Sequence, residues 1–151
     1  MVVGALQIDL NKAYDRVSWG FLKLILIQVG IPFRMMKWIM SCVSSVSYAV
    51  LINGKPTEFF KADQGLRQGR PLSPLIFLLV IKGLSRMINK SNSSGEIKGI
   101  KISSNLSITH LMFLDDIMIV GSGSLAEWRI HANSTKSFSH ASGLSVNYNK
   151  S

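Results

Sequence analysis

Apolar and polar positions alternate along this chain in blocks of element length. Val2 to Leu10 is a β-rich run that enters the polar cluster Asn11-Lys12-Ala13-Tyr14-Asp15-Arg16, which predicts a buried strand with Asp9 near its C-terminal end. Ser18 is placed to cap a helix over about Trp19 to Val29, Gly30 suits the position just past its end, and Pro32 restarts a helix to about Val43. Together these make a helical hairpin. Tyr48 to Ile52 and Thr57 to Phe60 flank Asn53-Gly54, which predicts a β-hairpin with a type I′ turn because both turn residues tolerate positive φ.

Gln64 to Ser73 is a glycine-containing loop before Pro74, so Ser73 is the expected N-cap of a helix running to about Asn89. Ser91 to Gly95 is a polar linker, and strands follow at Gly99 to Ser103 and Ser107 to Phe113. After Asp115-Asp116 comes a strand at Ile117 to Val120. Ser124-Leu125-Ala126-Glu127 has capping-box form and opens a helix ending near Gly143, before a last strand at Leu144 to Tyr148. No internal repeat is present. The order of elements implies an α+β sheet with helices on one face.

Length and composition narrow the picture. At 151 residues and 47% hydrophobic content the chain suits one domain with a real core and excludes general disorder. Seventeen Lys and Arg against eight acids give +9, which favours a polyanionic partner such as nucleic acid. The basic residues are spread from Lys12 to Lys150, so any footprint has to be assembled by folding. The single cysteine, Cys42, allows no internal disulfide; its apolar surroundings predict a core position, and an intracellular compartment follows. The most apolar runs, Leu22 to Val29 and Leu75 to Ile81, are short of the ~18 residues of a spanning helix. No membrane partner and no secretory signal are expected.

The chemistry concentrates at Asp115-Asp116, two adjacent carboxylates between Leu111-Met112-Phe113-Leu114 and Ile117-Met118-Ile119-Val120. Such a pair resists desolvation, so it sits either at a solvated hairpin tip or around a cation. Asp9, in an otherwise apolar strand, also needs a partner, and Lys12 or Arg16 would serve. If the Asp9 strand lies beside the Asp115-Asp116 hairpin, three carboxylates converge, and oxygen-only ligation suits Mg²⁺.

Four segments then resemble, in order, the palm motifs of reverse transcriptases from non-LTR, LINE-type retrotransposons, the plant branch most closely. They are Asp9-Leu10-Asn11-Lys12-Ala13-Tyr14-Asp15-Arg16-Val17, Gln64 to Pro74, Phe113-Leu114-Asp115-Asp116, and Ser142 to Ser151. The resemblance implies a polymerase palm-type antiparallel sheet with helices on one face and a partial fingers insertion over about 19–63. It also implies two Mg²⁺ ions, with Mn²⁺ a possible substitute, held by Asp9, Asp115, Asp116 and the Leu10 carbonyl. Tyr14 would be a steric gate against a 2′-hydroxyl, with a packed Tyr at a strand-to-helix junction as its plainer role. Gln68 and Gly69 would meet the incoming nucleotide and template, or simply form a turn. Lys150 would donate a proton to pyrophosphate, unless it is merely solvated. RNA template, DNA primer and deoxynucleoside triphosphates are the implied partners.

The chain departs from the family pattern at Leu114, where a small residue is usual, at Arg70, commonly acidic, and at Lys82, often Glu. The resemblance places outer fingers before Val2 and a thumb after Ser151, so a palm and inner-fingers fragment, weak or inactive by itself, is expected. The rival reading is a non-catalytic basic module that binds nucleic acid.

Overall fold

A computed structural model of the chain describes residues 4–104 and 106–147. Its central feature is a four-stranded antiparallel sheet made of β1 (Gly4–Asn11), β8 (His110–Phe113), β9 (Asp116–Gly121) and β10 (Ser145–Val146), in the order β10-β1-β9-β8. Between β1 and the rest of the sheet come α1 (Ala13–Arg16), α2 (Trp19–Gln28) and α3 (Phe33–Ser44). Four two-residue strands follow, β2 (Ser47–Tyr48), β3 (Leu51–Ile52), β4 (Lys55–Pro56) and β5 (Phe60–Lys61). The long helix α4 (Leu72–Ser93) leads to the ribbon β6 (Ile100–Ser103) and β7 (Leu106–Ile108), and α5 (Leu125–Ser142) joins β9 to β10. This is the mixed α+β, palm-type architecture that the motif order implies.

Strand alternation sorts the sheet into two faces. Ile8, Leu10, Ile117 and Ile119 point into the core, where they meet the buried stripe Ile76, Phe77, Val80, Ile81, Leu84 and Ile88 of α4. Those α4 positions recur at helical spacing, while Lys82, Arg86 and Lys90 lie exposed on the other side. By length and composition α4 is apolar enough to cross a bilayer. Its buried stripe gives the apolar residues a different task, the packing of this core. Gly83 lets α2 come close, because a Cβ there would stand 3.1 Å from Ile25 Cδ1 and Phe21 Cζ. The opposite face of the sheet exposes Gln7, Leu111, Phe113 and Met118.

Several local expectations hold. The Ser18 side chain accepts a hydrogen bond from the Phe21 amide, Gly30 is left-handed past the end of α2, and Asn53 and Gly54 both have positive φ in the β3–β4 turn. Others are corrected. Pro71 takes the N-cap position of α4, and Ser73, buried one step inside, donates its hydroxyl to the Arg67 carbonyl at 2.5 Å. The supposed linker at Ser91 is the last turn of α4, where Ser93 and Ser94 hydroxyls bond the carbonyls of Asn89 and Ser91. The expected strand over Ser107 to Phe113 breaks at buried Thr109, so β7 pairs with β6 while β8 pairs with β9. Cys42 is exposed rather than core, because α3 turns its buried side elsewhere, at Met36. The last strand spans only Ser145–Val146 among the described residues, and Tyr148 lies outside them.

The capping box at Ser124 is not formed. Ser124 stands at the N-cap of α5 without a side-chain hydrogen bond, and the Glu127 carboxylate that would make the return bond is committed elsewhere. Its buried carboxylate accepts from the Lys98 and Gly99 amides, both at 2.9 Å, from the Ser122 amide at 2.8 Å, and from the Ser122 hydroxyl. One carboxylate therefore ties the start of α5 to the approach to β6. Burial pushes the Glu127 carboxyl up, but the Ser122 hydroxyl and the Gly99, Ser122 and Lys98 amides outweigh it and hold the group below the usual value.

Candidate active site

The antiparallel register brings Asp9 of β1 directly opposite Asp116 of β9, and Phe113 of β8 opposite the same Asp116. Directly opposed residues in such a ladder have Cα atoms about 4.5–5.5 Å apart and side chains on one face. Two carboxylates distant in sequence thus share one patch of the sheet. Leu114 and Asp115 form the tip of the β8–β9 hairpin. Leu114 has φ +54°, a left-handed conformation that costs a residue with a Cβ about 1–2 kcal/mol. Leu114 is therefore the strained residue of the turn.

Asp9 is held from the β10 side. The Asn147 amide donates to the Asp9 carbonyl at 2.8 Å, and Asn147 Nδ2 donates to Asp9 Oδ2 at 3.1 Å. Arg16, one proposed partner for Asp9, instead donates to the Ser145 hydroxyl at 2.8 Å. Sequence reasoning gave Asn147 no role of its own, and its spacing offered no signal, since only the β1–β10 pairing brings it to Asp9. Leu10 buries its side chain in the core opposite Val146.

Tyr14 sits on α1 just past β1, its ring stacked on Phe77 of α4 with centroids 4.6 Å apart. Burial, and then the negative charge of Asp115, raise its hydroxyl above the usual tyrosine range. The loop from Gln64 to Pro71 is fastened beneath this helix by the Gly65 amide to the Val17 carbonyl, 2.8 Å, and the Leu66 amide to the Tyr14 carbonyl, 2.6 Å. Trp19 Nε1 donates to the Gly65 carbonyl at 2.8 Å. Gly65 is needed here, because its φ is +89° and a Cβ would lie 2.7 Å from the Asp15 carbonyl oxygen. Gly65→Ala is expected to destabilise the chain by about 2–3 kcal/mol and to loosen the loop, measured by urea denaturation. An unchanged midpoint would contradict this fastening.

The result is a cleft of about 390 Å³ lined by Tyr14, Gln68, Gly69, Ser73, Pro74 and Asp115. It unites residues from α1, the loop, the start of α4 and the β8–β9 tip. Ser73 and Pro74, the last two residues of the second motif segment, also line it. Lys150 lies outside the described residues.

The donor chemistry around Asp9 and Asp116 is all oxygen, which suits a hard divalent cation. Among the described residues, no three His, Cys, Asp or Glu side chains stand close enough together to enclose a metal ion. The facing Asp9 and Asp116 are the pair that fits, and Asp115 faces the cleft beside Tyr14.

Comparison with known proteins follows the same lines. A family model described as reverse transcriptase (RNA-dependent DNA polymerase) matches residues 2–151. The chain is 42% identical over 67 residues to an uncharacterized mitochondrial protein of Arabidopsis thaliana, covering 44% of this chain and 55% of that protein. It is 28% identical over 114 residues to a retrovirus-related Pol polyprotein from the type-1 retrotransposable element R2 of Popillia japonica, covering 76% of this chain and 18% of that polyprotein. Among solved structures, telomerase from Candida albicans, in complex with a fragment of telomeric RNA, superposes with a TM-score of 0.74 at 14% identity, over 99% of this chain and 26% of that one. The fold is shared, and this chain spans only a part of those relatives.

Proposed function

Because this chain belongs to the reverse transcriptase (RNA-dependent DNA polymerase) family, we propose that its cleft receives a deoxynucleoside triphosphate for RNA-templated addition to a primer 3′-hydroxyl. The observation that carries this reading is the register of Asp9 against Asp116, next to a cleft shared by Asp115, Tyr14, Gln68 and Gly69. Asp9, Asp115 and Asp116, with the Leu10 carbonyl, would hold divalent cations, Mg²⁺ by preference and Mn²⁺ in its place, which when bound lower the barrier to in-line attack at phosphorus. In that reaction the O3′–Pα bond forms as the bond from Pα to the pyrophosphate oxygen breaks, and the hydroxyl proton departs. The protein's own work is positioning. Asn147 holds Asp9 in orientation, and Gly69 (φ +78°) leaves open space above the loop for a ligand's close approach.

Tyr14 is the proposed gate. Its ring is braced from behind by Phe77, so it cannot retreat from a 2′-hydroxyl without losing that stacking. Tyr14→Ala is expected to raise ribonucleotide incorporation relative to deoxynucleotide incorporation on the order of 10-fold or more. Competition between the two triphosphates in single-nucleotide extension measures it, and an unchanged ratio would remove Tyr14 from this role.

The direct test is primer extension on an RNA template with Mg²⁺, by this chain and by a version lengthened on both sides to match its R2 relatives. Failure of the longer version to extend would refute polymerase competence. A second reading, a basic module that binds nucleic acid without catalysis, draws on the strained Leu114 and on the lack of a three-acid group among the described residues. It expects RNA binding that ignores both Mg²⁺ and Asp115→Asn.

A further inference from the structure

Residues 67–73 divide two cavities. Gln68 and Gly69 line the cleft with Asp115, whereas Arg67 and Arg70 line a second cavity of about 370 Å³ that is also walled by Cys42 and Val43 of α3 and by Ser45 and Val46 just past its end. Ser73 borders both. It also clamps the arginine backbone, donating its hydroxyl to the Arg67 carbonyl and its amide to the Arg70 carbonyl at 3.2 Å. The two guanidinium-bearing residues are therefore set on a fixed turn at the mouth of a nucleotide-sized space.

Nothing acidic meets them there. No Asp or Glu lines this cavity, and the α3 wall belongs to a stretch with no acid between Asp15 and Glu58, which carries Arg16, Lys23, Arg34, Lys37 and Lys55. Among the described residues neither Arg67 nor Arg70 is held in an ion pair. Two uncompensated guanidiniums beside one cavity form a strong donor set for a phosphate.

We propose that this second cavity binds a phosphodiester of the single-stranded RNA template, next to the nucleotide that pairs in the cleft. The inference rests on the polymerase reading. It adds that the strand crosses the 67–73 loop, with bases on the Gln68–Gly69 side and backbone held by Arg67 and Arg70. Gln at either position would keep the exposed surface polar while removing the charge.

Cys42, the chain's one cysteine, is exposed on the cavity wall and serves as a built-in reporter. The experiment measures maleimide alkylation of Cys42 in the 151-residue chain, alone and with single-stranded RNA, with a deoxynucleoside triphosphate, and with inorganic phosphate. RNA affinity is followed in parallel by fluorescence anisotropy across a salt series. The expected result is several-fold slower alkylation with RNA and no comparable protection by triphosphate or phosphate. In the Arg67→Gln/Arg70→Gln double variant the protection is lost, and the slope of log affinity against log salt falls by about 0.7–1.4, the share of one or two phosphate contacts. Arg70→Asp weakens binding further, and Lys101→Gln on β6 leaves both readouts unchanged.

Equal protection by phosphate or triphosphate would overturn the template assignment, as would protection that survives the double variant. If RNA binds while Cys42 alkylates at its free rate, this inference falls and the polymerase reading stands. If the 151-residue chain does not bind RNA at all, this inference falls, and the polymerase reading is decided separately by primer extension with the lengthened version. The Cys42 measurement on the unsubstituted chain decides the matter even where a variant does not fold.

Discussion

Asp116→Asn is expected to abolish templated extension, by a factor on the order of 10³ or more, in the chain lengthened to match its R2 relatives, while leaving the fold intact. The size follows from what the carboxylate does under the proposed function. Holding a divalent cation at a reacting phosphoryl group supplies several kcal/mol of charge stabilisation, and about 4 kcal/mol corresponds to roughly a thousandfold in rate. Asp9→Asn should match it, because Asp9 and Asp116 face each other across one strand pair. The accompanying stability measurement separates lost chemistry from lost structure. Like charges placed directly opposite on a sheet repel, so removing the Asp116 carboxylate should leave the urea midpoint unchanged or slightly higher. Asp63→Asn, exposed and outside the cleft, is the control that keeps full rate. Extension that persists in Asp116→Asn would sink the assignment of this pair to the reaction.

Glu127→Gln carries the largest expected stability loss, about 3 kcal/mol, because one buried carboxylate satisfies three backbone amides and a hydroxyl. A glutamine offers one acceptor oxygen in place of two and brings an NH₂ against donors, so at least one buried amide loses its partner. The same site predicts an acid dependence. The folded carboxyl is held below its usual value, so its contribution is complete above the unfolded carboxylate range, near 4.3, and is lost as pH falls toward the folded value. Stability against urea should therefore decline on acidification through that window in the unsubstituted chain, and decline less in Glu127→Gln. Parallel pH profiles for the two proteins would mean that Glu127 is not the group responsible.

Glu127 also shows where reading the sequence reached its limit. Ser124 and Glu127 have the spacing of a reciprocal cap, and α5 does begin there. The carboxylate was drawn away by amides at Lys98 and Gly99, nearly thirty residues earlier in the chain, which no local pattern announces. Ser73 is a second instance. It has the residue type of a cap but lies inside α4, because the loop carbonyls of Arg67 and Arg70 turn back to meet it. Cys42 is a third, since an apolar neighbourhood in sequence says nothing of which side of α3 faces out.

Elements governed by neighbours a few residues apart were determined by the sequence itself: the Ser18 cap, the Gly30 stop, the Asn53-Gly54 turn and a hairpin tip at Asp115 between two apolar strands. Their physics is local, set by φ preference, side-chain caps and hydrophobic period. Only the tertiary structure decided that Asp9 meets Asp116 rather than a residue one step away, that Asn147 reaches Asp9, and that Phe77 braces Tyr14. A strand's pattern says which face is buried, but which strand lies alongside it, and in what register, depends on how the two apolar faces and the helices above them fill one common core.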